Sequence, residues 1–359
     1  MLLVISIFRK RETRGIHLSA LPKVSLLISA YNEEKVIEDK VRNSLSLNYP
    51  RGLLEIIIVS DGSIDRTEEI VRQYTDRGVT LQSYPGRLGK TACLNKAVQL
   101  AKGDIVVFSD ANSNYNADAV EELVKHFSDE KIGFVTGHTK YVASTDEEKV
   151  LPIGIYSRIE KLTKMLESKI STCVGADGAI FAIRKGLYRP LNDSDINDFV
   201  IPLSVIRQGF RGVIEEKAFC IEKAAEGAKS EYNRQVRITN RTIRAISQNA
   251  DMLNPLKYGF FSFELLSHKL LKLFSPYYVI ALFMTNVFLI YYGTFYFMIF
   301  IGQMLFCTLA ALGYLEKRSG IISQMISLAE TFTMANLAIL MGWLRFFKGE
   351  NIVTWIKAR

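Results

Sequence analysis

With 359 residues, 48% of them hydrophobic, the chain is long enough for one large or two medium globular units with a sizeable core. Its net charge of +8 would suggest nucleic acid in a soluble protein, but the lysines and arginines collect beside apolar segments: Arg9, Lys10 and Arg11, then Lys269 and Lys272, then Lys317 and Arg318. That is the pattern of membrane flanks facing anionic headgroups, so nucleic acid is excluded as a partner, and the four cysteines, Cys93, Cys173, Cys220 and Cys307, have no spacing for a metal site or a disulfide framework.

The first apolar run, residues 2–8, is shorter than the roughly 20 residues a membrane-spanning helix needs. It reads as the stub of a longer helix or an interfacial anchor; no basic region precedes it, as a cleaved signal peptide would require. Strand-like runs follow: VSLLIS from Val24, EIIIVS from Glu55 and DIVVFS from Asp104. Helical spacing separates them, with Asn32 placed to cap a helix carrying Val36, Ile37, Val41 and Leu45, and further helices over 67–74 and 90–101. This order predicts an α/β domain, a mainly parallel sheet with helices on both faces. Asp61 and Asp110 fall where the second and third runs end, the edge at which such sheets bind ligands and metals.

Beyond this come an expected strand over 132–141, a helix over 151–168, a strand over 179–184, a helix after Asp198 and a basic helix over 231–251. Pro255 opens residues 256–273, where aromatic and leucine residues interleave with Lys257, Glu264, His268 and Lys269, as in a helix lying in the headgroup plane. Residues 276–292, 295–315 and 321–347 are each close to spanning length. Glu330 in the last would cost roughly 3 kcal/mol at the bilayer centre, so a protein-facing or shallow position is expected. Three spans would export the tail, whereas Arg345, Lys348, Lys357 and Arg359 favour the inside, so one segment is expected to be interfacial or re-entrant. The expected layout is a membrane-proximal segment (1–20), a cytosolic catalytic domain (21–252), an interfacial helix (253–273), about three transmembrane helices (274–347) and a basic tail (348–359).

The polar residues at the sheet edge each admit a plain reading and a chemical one. Asp110, in Ser109-Asp110-Ala111-Asn112, ends a buried-looking strand and can bind Mg2+ or Mn2+, hard cations that take oxygen ligands. Arg87 and Lys90, in Gly86-Arg87-Leu88-Gly89-Lys90-Thr91, lie where phosphate could meet a helix start, or are solvated residues around a cap. Asp61-Gly62-Ser63 can bind a base or ribose, or form a turn with Asp65 capping the next helix. Asp198 alone reads as a cap, and His126, His138 and His268 receive no role.

Taken in order, these motifs resemble the family 2 glycosyltransferases, the inverting group with a GT-A fold. The closer likeness is to the membrane-embedded cellulose synthase-like and poly-N-acetylglucosamine synthase-like branch, over residues 24–245 with membrane segments following. The resemblance implies that Ser29-Ala30-Tyr31-Asn32-Glu33 is the first nucleotide-binding stretch, with Ala30, Tyr31 and Glu33 near the base. Asp61 then matches the second carboxylate of Asp-Asp-Gly, with Ser60 in the first position. Residues 90–95 match a Gly-Lys-x-x-Ala-Leu-Asn element, Cys93 in the Ala position and Lys90 approaching the diphosphate. Asp110 and Asn112 match an Asp-x-Asp metal motif with an amide in the second place. Gly175-Ala176-Asp177-Gly178 matches the acceptor-side loop, and Asp198, preceded by Asn197 in a Glu position, the general base. Arg237 matches the arginine of Gln-x-x-Arg-Trp, while Arg234 and Ile238 replace the Gln and the Trp, which weighs against processive synthesis.

The resemblance implies an inner-membrane polysaccharide-biosynthesis enzyme transferring a sugar from a nucleotide-diphosphate donor, expected to be UDP-linked, to a glycan or lipid-linked acceptor, with Mg2+ or Mn2+ and with membrane lipids or membrane subunits as partners. The alternatives are a polyprenyl-phosphate glycosyltransferase adding one sugar, and an inactive membrane partner subunit.

Overall fold

The unbroken apolar runs of the first strands require both faces of the sheet to be covered, and a computed structural model of the protein, which describes residues 20–142, 155–223, 228–315 and 321–350, shows how. The strands are β1 (Val24–Ala30), β2 (Leu54–Ser60), β3 (Val79–Ser83), β4 (Ile105–Asp110), β5 (Asn114–Tyr115), β6 (Ile132–Val142), β7 (Ile180–Arg184) and β8 (Arg211–Lys223). They form one sheet in the order β3-β2-β1-β4-β7-β6-β8-β5. Val24, Leu26 and Ile28 of β1 and Ile105 and Val107 of β4 point into one core, under the Ile37–Leu45 and Ala119–Val124 helices. Leu27, Val106 and Phe108 point into the other, with the Lys90–Leu100 and Asn197–Arg207 helices.

The sheet departs from mainly parallel in its second half. β3, β2, β1 and β4 are parallel, but β7 runs antiparallel to both β4 and β6, and β5 antiparallel to β8. β7 is reversed because the preceding segment, residues 171–179, first crosses the ligand edge of the sheet, and the chain re-enters from there. Asn32 does not cap the next helix: that helix begins at Ile37 with Val36 before it, and Asn32 takes a left-handed conformation (φ 53°) in which its Oδ1 accepts from the Ile64 amide at 2.9 Å.

Residues 256–273 are not one interfacial helix. Gly259 (φ 58°) breaks them into Pro255–Tyr258 and Phe260–Glu264, and Leu265–Leu270 then winds as a π-helix. The reason is packing: Phe261, Leu265 and Leu273 join the second core, whereas Leu256, Phe263, Leu266 and Leu271 stay exposed. His268 Nδ1 lies 2.6 Å from Glu167 Oε1, tying this turn to the Ile155–Ile170 helix. Glu264 is buried beside Glu167, and burial followed by that neighbouring charge pushes it up to about 9, so it is a neutral acid at pH 7.

Three helices are long and apolar enough to cross a membrane: Ser275–Tyr292, Thr294–Gly313 and Met325–Phe347. The first leaves from the α/β domain and the last comes back to it. Trp343 Nε1 donates to the Leu273 carbonyl at 2.8 Å, Ser275 Oγ donates to Asn336 Oδ1 at 2.8 Å, and a Cβ on Gly342 would lie 2.5 Å from Thr239 Cγ2. Glu330 packs on Gly313, whose Cβ position is 3.0 Å from Glu330 Oε2, a helix-facing place. Residues 1–19, Lys317, Arg318 and 351–359 lie outside the described residues.

Candidate active site

Three neighbouring parallel strands, β2, β1 and β4, end side by side, and the loops leaving them carry Asp61, Tyr31 to Glu33, and Asp110 to Asn112. The chain goes to opposite sides of β1 here, which opens a crevice at the carboxyl edge.

Asp61 is 3% exposed and faces the Gly86–Gly89 loop, not solvent. Its carboxylate accepts from the amides of Leu88 (2.7 Å) and Gly89 (3.1 Å) and from the Cys93 thiol (3.3 Å), holding the start of the Lys90–Leu100 helix against β2. Gly62 is required beside it, because at φ 68° its Cβ would stand 2.4 Å from the Gly86 carbonyl oxygen. Ser60 donates to Glu68 Oε1 at 2.8 Å, and Ser83 to the same oxygen at 2.6 Å, so a carboxylate of the next helix ties the ends of β2 and β3 together. Ala30 accepts the Asp61 amide at 3.0 Å, the Tyr31 ring lies under the Arg87 guanidinium (4.0 Å), and Glu33, 8% exposed, takes its amide to Thr67 Oγ1 at 2.7 Å.

Lys90 Nζ lies 2.5 Å from Asp110 Oδ1, and both side chains are partly exposed (20% and 27%) at the crevice floor. Beneath them Lys40, fully buried, donates to the Ser113 carbonyl and lies 4.0 Å over the Tyr115 ring, while Asn43 exchanges two bonds of 2.8 Å with the Tyr115 backbone. Burial pushes Lys40 down to about 7 despite the nearby Cys220, Asp110 and Glu222. The Asp110–Tyr115 loop is thus fixed from the Ile37–Leu45 helix, a support that no spacing in the sequence announces.

The donor set at Asp110 and Asn112 fits a hard divalent cation: both offer oxygen, and the Lys90 ammonium already stands where positive charge is held. No cluster of three or more His, Cys, Asp or Glu occurs among the described residues, so most ligands would come from a diphosphate and water.

Asp198 is the second residue of the Asn197–Arg207 helix, yet it does not cap it. Its Oδ1 is buried and has no hydrogen-bond partner among the described residues. Its Oδ2 is 3.0 Å from the Cβ position of Gly178, and its carbonyl accepts the Ala176 amide at 2.8 Å, so the Gly175–Gly178 loop lies directly against it. Burial raises the Asp198 carboxyl; Lys90, Lys269 and Lys164 pull it back, and Asp177 adds to the rise. Asp177 itself is consumed structurally: it accepts from the Thr139 amide (2.9 Å), the Thr139 hydroxyl and the Ala179 amide (3.1 Å).

The loop before Asp198 is held from two helices. Asn95 exchanges bonds with Leu191 (2.8 and 2.9 Å) and Thr91 Oγ1 donates to the Asp193 carbonyl at 3.0 Å, which gives residues 90–95 a structural task beside the cation. Arg241 of the Ala228–Gln248 helix donates to the Ser194 carbonyl at 2.9 Å and to the Asp195 carbonyl. Arg234 pairs with Glu231 at 2.9 Å, whereas Arg237 has no partner among the described residues; burial, then Arg241 and Arg234, depress its pKa. An unpaired, half-buried guanidinium is costly unless an anion arrives. Sequence reasoning missed Lys40, Arg241, Lys164 and Lys269, all brought in by tertiary packing.

Residues 25–189 match the family model described as glycosyl transferase family 2. A probable glycosyltransferase, YdaM, of Bacillus subtilis is 32% identical over 190 residues, covering 50% of this chain and 44% of that one. A beta-monoglucosyldiacylglycerol synthase of Trichormus variabilis is 36% identical over 130 residues (35% and 27%), and a poly-beta-1,6-N-acetyl-D-glucosamine synthase of Staphylococcus aureus 34% over 130 residues (35% and 30%). The chain thus spans less than half the length of these relatives. Among solved structures, the mannosyltransferase PcManGT from Pyrobaculum calidifontis, in complex with GDP-Man and Mn2+, superposes with a TM-score of 0.72 at 19% identity, covering 98% of this chain and 100% of that one. That likeness is one of fold, the GT-A fold.

Proposed function

We propose that this chain, whose residues 25–189 match the family 2 glycosyltransferase model, is a membrane-bound, inverting glycosyltransferase that moves a sugar from a nucleotide-diphosphate donor, UDP-linked in our reading, to a hydroxyl of a glycan or lipid-linked acceptor. The observation that carries this is the Asp198 carboxylate, whose Oδ1 is buried without a hydrogen-bond partner among the described residues and whose Oδ2 is set against Gly178, in electrostatic reach of the Lys90 that meets Asp110. Asp198 takes the proton of the acceptor hydroxyl as its oxygen bonds to the anomeric carbon from the face opposite the donor's diphosphate. The carbon–oxygen bond to the diphosphate breaks and its electron pair leaves with that oxygen. Lys90 and Arg237 neutralise the departing charge. When bound, Mg2+ or Mn2+, held by Asp110 and Asn112, would supply Lewis-acid stabilisation to the same diphosphate. Glu33 and Asp61 shape the nucleotide end, Asp61 through the loop it clamps.

Donor binding tests this reading directly. Calorimetry with UDP- and GDP-sugars should give binding to at least one donor, dependent on Mn2+ or Mg2+; no binding with any donor would sink the proposal and favour an inactive subunit. Gly178→Ala tests the geometry at the base. The added methyl meets the Asp198 carboxylate at 3.0 Å, so that group must give by a few tenths of an ångström, where a full ångström costs about a hundredfold. Transfer should fall by about three- to tenfold with donor binding unchanged, and wild-type turnover would contradict the assignment. A second reading, a single sugar passed to a lipid phosphate, is favoured by Ile238, which leaves no aromatic platform at that place.

Both ends of the apolar helices lie on the catalytic domain, so we read them as crossing the bilayer an even number of times, with domain and tail on the cytosolic side. In a Cys307→Ala background, Glu350→Cys and Lys131→Cys should label from the same side of sealed vesicles; labelling from opposite sides would refute an even count.

A further inference from the structure

The base Asp198 is in electrostatic reach of two cations besides Lys90, one on the Ile155–Ile170 helix and one on the turn that leads into the first membrane-length helix. Lys164, on the Ile155–Ile170 helix, is 7% exposed and lies 3.8 Å from Glu160. Lys269 belongs to the π-helical Leu265–Leu270 turn, which His268 anchors to Glu167. Wide turns of this kind re-aim side chains and recur at functional sites. Here Lys269 is aimed inward: its Cε is 4.0 Å from the Cβ position of Gly175, itself 3.5 Å from the Asp198 carbonyl oxygen, and its ammonium is 6.0 Å from the Phe199 ring centre. A lysine serving only general headgroup attraction would extend outward along the membrane surface.

The carboxylates facing these lysines are Glu160, Asp177 and Asp198. Asp177 is held by Thr139 and Ala179 and Asp198 must stay free for its proton, so among the described residues Glu160 is the carboxylate that pairs with the cluster, at 3.8 Å from Lys164; Glu216 pairs with Lys161 at 3.2 Å. The lysines lie close enough together to act on their neighbours. Burial and then Lys161, Lys140 and Lys164 push His138 down to about 4, and desolvation followed by Lys269 pushes Lys272 down to about 8.

We propose that Lys269 and Lys164 form an anion subsite on the acceptor side of Asp198, which receives the phosphate of a lipid headgroup that also carries the attacked hydroxyl. The inference rests on the transferase reading above and names its acceptor class: a hydroxyl borne by a phosphate-bearing lipid, either a glycerophospholipid or a sugar linked through phosphate to an isoprenoid. The π-turn brings the cation to the loop, and the exposed apolar helix starting at Ser275 provides the surface along which the lipid chain would lie.

The test is equilibrium binding to the full chain in detergent, by thermophoresis, with dihexanoyl phosphatidylglycerol, a farnesyl-diphosphate-linked N-acetylglucosamine, and the neutral dihexanoylglycerol as probes, and with UDP and GDP measured in parallel. At least one phosphate-bearing probe should bind tenfold or more tighter than the neutral lipid, and which one binds identifies the source. Lys269→Ala should remove that preference, Lys269→Arg should retain it, and Lys257→Ala, a surface cation outside the cluster, should leave it intact, all with nucleotide binding unchanged. Equal binding of the neutral lipid, or an equal loss in Lys257→Ala, would overturn the subsite. Absent nucleotide binding beside an intact, Lys269-dependent lipid preference would overturn the transferase reading while upholding the anion subsite.

Discussion

Asp198→Asn is expected to lower sugar transfer by about 100- to 10,000-fold, the range a positioned general base supplies, while leaving nucleotide binding intact. Asparagine fills the same volume against Gly178 and keeps the backbone bond to Ala176, so the loss would report the proton-accepting oxygen and not a collapsed loop. A pH profile adds an independent readout. Burial raises the Asp198 carboxyl, and the base works only when ionised, so kcat/KM should fall as pH drops through that raised value. The acid limb should therefore lie above the ordinary Asp value of about 3.9 and vanish in the variant's residual activity. Asp198→Asn turnover within tenfold of wild type would remove the residue from the chemistry.

Asp110→Asn should weaken Mn2+-dependent donor binding by at least about a hundredfold, since loss of even an outer partner of a metal costs about 10- to 100-fold. The substitution removes the only carboxylate of the Asp110–Asn112 pair and frees Lys90. The Lys90–Asp110 pair is partly exposed and screened, worth under about 1 kcal/mol to folding, so the melting temperature should barely move. Calorimetric titration with and without Mn2+ checks this; unchanged metal dependence would place the cation elsewhere.

The parallel half of the sheet was legible because its strands are buried on both faces and their apolar residues run unbroken, as Leu26, Leu27 and Ile28 do. Asp110 at the end of β4 was legible for the same reason. Asn32 suits a cap by residue type and position, but the loop after β2 reaches it first through Ile64. The break at Gly259 and the π-turn were hidden because residues 256–273 keep an amphipathic composition while Phe261, Leu265 and Leu273 are drawn into the domain core. Lys164, Arg241 and Lys269 reach the Asp198 neighbourhood from segments some 30 to 70 residues away in sequence, and nothing in their local spacing marks them.

The most direct test of the account is nucleotide release by the detergent-purified full chain, supplied with native lipid extract and Mn2+, across UDP- and GDP-sugars, for wild type and Asp198→Asn. Release from one donor, lost in the variant and dependent on the metal, is the result predicted. Equal release by wild type and variant from the donor that calorimetry shows to bind would contradict the assignment of Asp198 as the base.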